Sequence, residues 1–279
     1  MIAGGAQATG ESRRDRWVCL MYHDVLPSTR ARGGGGERFA VPLTAFERTL
    51  DLIREQAFEG CSVADALAAP GTRRVAITFD DGTRSHFDHA APALAARGMT
   101  ATFYVTTSWV GRSGYVTWSE LREMKSWGMS IQSHTHTHPF LSELSENDVR
   151  TELRESKALL DGELGQQTTE LGLPGGDAPR RSLRRVIDET GYEIVAGSRW
   201  GVNRERNSDD RTRILRCTMR ATPTDDWVRR VLDGDLVLSL QRLPREATLA
   251  RIRATLGPTR YARWRRRLLD AVQPASAPS

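Results

Sequence analysis

Apolar positions along this 279-residue chain fall into two alternating kinds of run. Short, nearly continuous apolar stretches occur at Trp17–Tyr22, Val75–Phe79, Ala101–Val105, Met129–Ser133, Glu170–Leu173, Tyr192–Ala196 and Asp235–Leu240. Buried strands read this way, because both faces of such a strand meet protein. Between them lie longer stretches with apolar residues three and four apart. Leu43, Phe46, Leu50 and Ile53 mark one face of a helix over 43–57, with Thr44 as its expected N-cap. Further helices are predicted over 84–97, 118–127, 145–162 and 179–190; Gly98, Gly128 and Gly191 stop three of them. Strands alternating with helices of this length give an α/β fold with a parallel sheet. The number of repeats favours a closed barrel over an open sheet.

The remaining segments bound this unit. Residues 1–16 are small and polar and are expected to be disordered, as is the Pro/Ser/Ala-rich tail 272–279, leaving one domain over 17–271. Gly33–Gly36 read as a flexible loop. No apolar run is long enough to cross a membrane, and the N-terminus has no apolar leader segment, so a cytoplasmic location is expected. Three scattered cysteines, Cys19, Cys61 and Cys217, fit reduced core thiols and not a disulfide framework. The net charge is +5, and Lys125 and Lys157 are the only lysines. Arg260, Arg263 and Arg265–Arg267 form the sharpest basic cluster. A solvated helix face explains it; peripheral contact with an anionic membrane stays open, and nucleic-acid binding has no other support.

Three predicted strand ends carry unusual polar groups, and strand ends are where parallel α/β folds place reactive residues. Asp80 and Asp81 follow the strand Val75–Phe79 and precede Gly82. Adjacent carboxylates repel, and a cation would relieve them; an Asp-Asp-Gly turn with Asp81 capping the next helix is the plainer alternative. Ser133-His134-Thr135-His136-Thr137-His138-Pro139 holds three of the six histidines. On a helical turn His134 and His138 would share a face within reach of one metal, and His136 would point elsewhere. Imidazoles with a carboxylate suit zinc or a similar ion. Pro174-Gly175-Gly176 follows the strand Glu170–Leu173 and could expose backbone N–H groups to an oxyanion. Three ligands with open positions mean catalysis and not structure.

These motifs, in this order, resemble the polysaccharide deacetylases, carbohydrate esterase family 4. ITFDDG (77–82) is similar to the family's first motif and SHTHTHP (133–139) to its second; ATFYV (101–105), WSELREMKSWGM (118–129) and Gly191-Tyr192 also match. The resemblance covers roughly residues 17–200. It implies a distorted (β/α) barrel of about seven strands and a metal-dependent enzyme removing N-acetyl groups from an amino-sugar polysaccharide or glycoconjugate precursor. It implies Asp81, His134 and His138 as ligands of one divalent ion, expected to be Zn²⁺. Asp80 would be the catalytic base, and Gly175 would supply an oxyanion N–H. The chain departs from the family at two points. An apolar residue near Gly172–Leu173 stands where the third motif has an arginine, and the C-terminal Leu-x-His has no counterpart, since no histidine follows His138. Leu20-Met21-Tyr22-His23-Asp24 resembles a branch with an N-terminal Tyr-His strand, which implies His23 as catalytic acid. Arg216 is a candidate replacement for the missing arginine, and His86 and His89 read as helix-surface residues. Alternative readings are an amidase for a lipid-linked sugar or small amide, and a weakened sugar-binding relative.

Overall fold

The computed structural model describes residues 16–27, 39–68, 72–176, 181–204, 213–219 and 223–235, with scattered positions between 238 and 264. Its elements, in chain order, are β1 (Arg16–Tyr22), β2 (Val25–Leu26), β3 (Val41–Pro42), α1 (Leu43–Glu55), β4 (Glu59–Cys61), α2 (Val63–Ala68) and β5 (Arg74–Phe79). A π-helical turn, His86–Ala90, then runs into α3 (Ala91–Ala95), β6 (Thr102–Val105), α4 (Trp118–Ser126), β7 (Ser130–Ser133) and α5 (Glu146–Leu164). The last described elements are β8 (Glu170–Gly172), α6 (Arg181–Glu189), β9 (Ile194–Ala196), β10 (Asn203–Arg204), β11 (Arg213–Ile214), β12 (Cys217–Thr218) and α7 (Asp225–Leu232).

The sheet runs β1-β5-β6-β7-β8-β9-β11 with every neighbouring pair parallel. These seven strands match the expected barrel. Closure comes from the segment 213–218. Its first half pairs with β9, Arg213 against Val195, and its second half pairs with β1, Leu20 against Cys217. One short stretch therefore seals the cylinder between its last and first strands. The sequence reading had put a late strand at 235–240. Most of that stretch lies outside the described residues, and Leu238 within it is helical. The Gly33–Gly36 loop, the two chain ends and Arg265–Arg267 also lie outside the described residues.

Local chemistry explains several boundaries. Thr117 and Glu120 form a reciprocal capping box at the start of α4. Ser145 caps α5 through the Asp148 N–H, and Gly165 ends that helix in the left-handed region. Thr44 does not cap α1, which begins one residue earlier behind Pro42; a proline there supplies the fixed φ that helix entry needs.

One row of register partners crosses the sheet as stacked rings: Tyr22 and Phe79 at 5.4 Å, Phe79 and Phe103 at 4.6 Å. These rings are fully buried and fix the strand ends immediately before Asp80. All three cysteines are buried, Cys19 and Cys61 as expected of core residues. No helix among the described residues is long and apolar enough to cross a membrane.

Candidate active site

Asp80 and Asp81 leave β5 in opposite surroundings. The Asp80 N–H donates to the Tyr22 carbonyl at 3.0 Å, which ties the strand end to β1. Its carboxylate is buried and faces Arg216, which lies in the closing stretch between β11 and β12. The guanidinium donates to both Asp80 oxygens, Nη1 to Oδ1 at 2.6 Å and Nη2 to Oδ2 at 2.8 Å. Its Nε donates to the Gly197 carbonyl at 2.6 Å, and the Tyr104 ring lies 5.3 Å away. Burial by itself would push the Asp80 carboxyl up, but the Arg216 charge outweighs it and the group rests below its ordinary value. The fork leaves lone pairs on both carboxylate oxygens, so a paired Asp80 can still accept a proton.

Asp81 turns the other way. Its φ is +83°, and the following Gly82 also has positive φ, so the chain swings sharply after the strand. Asp81 caps no helix; four residues separate it from the π-helical turn. Its Oδ1 lies 3.4 Å from the Nε2 of both His134 and His138. The three ligand atoms all fall within 4.8 Å of one another, a set that could hold a metal ion. Two of its three edges fit a tetrahedral ion well, because ligands about 2.1 Å from such a centre stand roughly 3.4 Å apart. Burial would raise the Asp81 carboxyl, yet hydrogen bonds from the two histidines hold it well below the carboxylate range.

The histidine segment is not the helical turn that the four-residue spacing suggested. It is an irregular loop in which Thr135 (φ +65°) and His138 (φ +64°) both take left-handed backbone. That conformation is costly for a β-branched residue and persists only where the surroundings over-determine it. Here they do. Glu152 on α5 accepts the His136 and Thr137 N–H groups at 3.0 and 2.8 Å, and the Thr135 hydroxyl accepts the His138 N–H at 3.1 Å. The result turns two imidazoles onto Asp81. His136 points elsewhere, as expected, its Nδ1 2.9 Å from the Thr107 hydroxyl.

His134 is oriented from behind. Its Nδ1 donates to the Gly172 carbonyl at 2.8 Å, which fixes the tilt of the ring and aims Nε2 at Asp81. Gly172 must be glycine for this contact. A Cβ there would lie 2.7 Å from the Tyr104 ring and 3.0 Å from His134 Nδ1. The residue near the missing third-motif arginine is therefore small for a packing reason. Gly175 follows with φ +58°, where a Cβ would collide with Phe140 at 2.4 Å. His138 is flanked by Trp109, whose ring stacks at 5.1 Å.

Two histidines outside the triad differ in fate. His23, just past β1, stacks on Phe39 at 4.8 Å and has a buried Nδ1 without a protein partner. Burial lowers its pKa while Asp80 and Asp81 pull it up, which places it in the electrostatic field of the carboxylate pair. His86 was read as a surface residue and is instead buried, because it opens the π-helical turn and does not sit on the outer face of a regular helix. His89 is partly exposed. Sequence reasoning also passed over Glu152, Trp109 and the carbonyl of Gly172. None has a local signal, since each acts through packing between segments distant in the chain.

A further buried acid is paired with Tyr104. Glu170 on β8 accepts the Tyr104 hydroxyl at 3.0 Å, and burial pushes its carboxyl up to about 7. A group raised above its unfolded value of about 4.3 favours the fold while protonated and loses that advantage as pH rises through about 4 to 7. Glu170→Gln, a mimic of the protonated acid, should therefore match the parent near pH 5 and be the more stable protein near pH 8. The expected difference is on the order of 3 kcal/mol, read by denaturant melts at both pH values; equal gaps at the two would refute it.

The geometry agrees with what similar proteins are. Residues 68–195 match a family described as polysaccharide deacetylase. YxkH of Bacillus subtilis, which carries a polysaccharide deacetylase name, is 29% identical over 181 residues, 63% of this chain and 62% of that protein. The peptidoglycan-N-acetylglucosamine deacetylase PgdA of Listeria monocytogenes is 27% identical over 144 residues, 51% of this chain and 28% of that one. This chain thus spans less than two thirds of either relative's length. Among solved structures, the Streptococcus pyogenes deacetylase PplD, in complex with acetate, superposes with a TM-score of 0.64 at 25% identity, covering 73% of this chain and 92% of that one.

Proposed function

Starting from the match of residues 68–195 to the polysaccharide deacetylase family, we propose that the chain is a metal-dependent hydrolase of N-acetyl groups on an amino-sugar polymer, oligomer or glycoconjugate precursor. One observation carries the reading. Asp81, His134 and His138 converge on one point, and a second, separately held carboxylate, Asp80, stands next to it in sequence. A structural metal site would have no use for that second carboxylate.

The three ligands would hold one divalent ion, and the nitrogen-rich set suits Zn²⁺. When bound, the ion supplies Lewis-acid chemistry: it acidifies water and polarises the acetyl carbonyl. The chain's own residues do the rest. Asp80, kept ionised by Arg216, takes the proton of the attacking water. Both carboxylate oxygens are pinned by the guanidinium, so the base cannot rotate away or be drawn to the ion as a fourth ligand. The Gly175 N–H, on a turn that only glycine fits, is assigned to the oxyanion. His23 is assigned the proton that the departing sugar amine needs. Burial keeps its pKa low, so once charged it gives the proton up readily. Trp109, partly exposed beside His138, offers a face on which a sugar ring can lie.

Protein loaded with Zn²⁺, Co²⁺ or Mn²⁺ and incubated with a panel of N-acetylated sugars, oligomers and lipid-linked sugars should release acetate from at least one. The release should stop on chelation and fall about 10²-fold in His23→Gln. Acetate release that survives chelation would overturn the metal-dependent mechanism. A His23→Gln variant with full activity on the amide would remove His23 from the acid role.

A further inference from the structure

His86 is a buried histidine that the chemistry above does not use. Its Nε2 lies 2.5 Å from the backbone carbonyl oxygen of His23, across 63 residues of sequence. The contact requires Nε2 to carry the proton, and leaves Nδ1 as a buried lone pair with no hydrogen-bond partner. The ring packs tilted against the stacked Phe79–Phe103 pair, at 5.3 and 5.5 Å, where an apolar residue would pack without that cost. It also opens a π-helical turn, and such irregular turns collect at functional sites. The preceding residue reaches the same loop: the Ser85 hydroxyl donates to Asp24 Oδ1 at 2.9 Å and accepts the Val25 N–H at 3.2 Å.

We propose that His86 is a positioning residue for His23. It grips the His23 carbonyl, Ser85 grips the two residues after it, and Phe39 stacks on the ring, so the His23 imidazole is held at one angle just past Tyr22, whose carbonyl accepts the Asp80 N–H. The inference rests on His23 serving as the acid. Its physical logic is that His23 sits just beyond the end of β1, where ladder hydrogen bonds no longer fix the backbone. A proton donor there needs a separate restraint if it is to meet a leaving nitrogen within hydrogen-bond reach.

The test separates proton donation from structural damage by the leaving group. An N-acetylglucosamine oligomer expels an amine that must be protonated, whereas 4-nitrophenyl acetate expels a phenolate that needs no acid. His86→Leu should lower kcat on the oligomer about 10–100-fold with KM nearly unchanged, keep its metal, and hydrolyse the aryl ester at close to the parent rate. His86→Gln, which can place an amide N–H near the Nε2 position, should recover most of the lost kcat. Equal losses on both substrates, or no rescue by glutamine, would overturn the positioning role. His23→Gln run in parallel distinguishes the two levels. If it too spares the oligomer reaction, the acid assignment has failed. If it shows the amide-selective loss while His86→Leu does not, only the positioning inference has failed.

Discussion

His138→Ala should release the metal. Only Asp81 and His134 would remain as protein ligands, so affinity is expected to fall by orders of magnitude, and acetate release should fall with it by roughly 10³-fold or more. Asp80→Asn should separate the two properties. The substituted amide cannot take a proton, but position 80 is not among the converging ligands, so the protein should keep its ion and lose about 10²- to 10⁴-fold in kcat. Elemental analysis and rates on the same preparations decide the matter. Undiminished metal in the His138→Ala protein would sink the ligand assignment. Parallel loss of metal in both variants would sink the division between base and ligand.

The second large effect is expected at Arg216. It is fully buried, and its guanidinium matches the buried Asp80 carboxylate atom for atom. Arg216→Met leaves an uncompensated charge in the barrel wall, and breaking such a pair costs about 3–5 kcal/mol of stability. Adding Asp80→Asn to that variant should restore much of the loss, because the orphaned charge disappears; the double-mutant cycle measures the coupling. Arg216→Lys should not substitute, since an ammonium cannot make the two parallel bonds. The pH dependence has a definite sign. Asp80 is held below its ordinary value, so its contribution is complete above its unfolded pKa of about 4 and fades as pH falls below it. The stability gap between parent and Arg216→Met should narrow in acid. In the variant, burial acts without the arginine, so the base titrates higher and the acid limb of the kcat/KM profile should move up in pH. A loss under about 1 kcal/mol near neutral pH, well short of the cost of an orphaned buried charge, or an unmoved acid limb, would contradict the role given to Arg216.

What was legible in the sequence has a common character: it is local. The strand runs could be read because a strand buried on both faces leaves an apolar stretch in the chain. Asp80-Asp81-Gly82 and His134-Thr135-His136-Thr137-His138 could be read because polar groups of metal-binding type, clustered within a few residues at strand ends, stand out in the chain. The alternation of elements was enough for a barrel of about seven parallel strands, since crossover connections leave few other solutions. The spacing of His134 and His138 suggested one ion, but for the wrong local reason. The loop reaches the same convergence through left-handed backbone that Glu152 enforces from the following helix.

What only the tertiary structure decided is long-range. Arg216 lies 136 residues from Asp80, and the sequence offered it only as one candidate for the missing arginine; it meets Asp80 because the stretch 213–218 closes the barrel between β9 and β1. The stretch around Arg216 reads as strand-like, but its place as the closing element does not show in the chain: β11 and β12 pair only two residues each, and their pairing is set by the cylinder's geometry. His86 was misplaced on the surface because a regular helix was assumed. One π-helical turn changes the phase at which side chains leave the axis, and the ring that should have met solvent meets the carbonyl of His23. The residues to which the chemistry is assigned thus announced themselves by type and spacing. The residues that hold them in place did not, because an orienting contact can come from any segment the fold brings near.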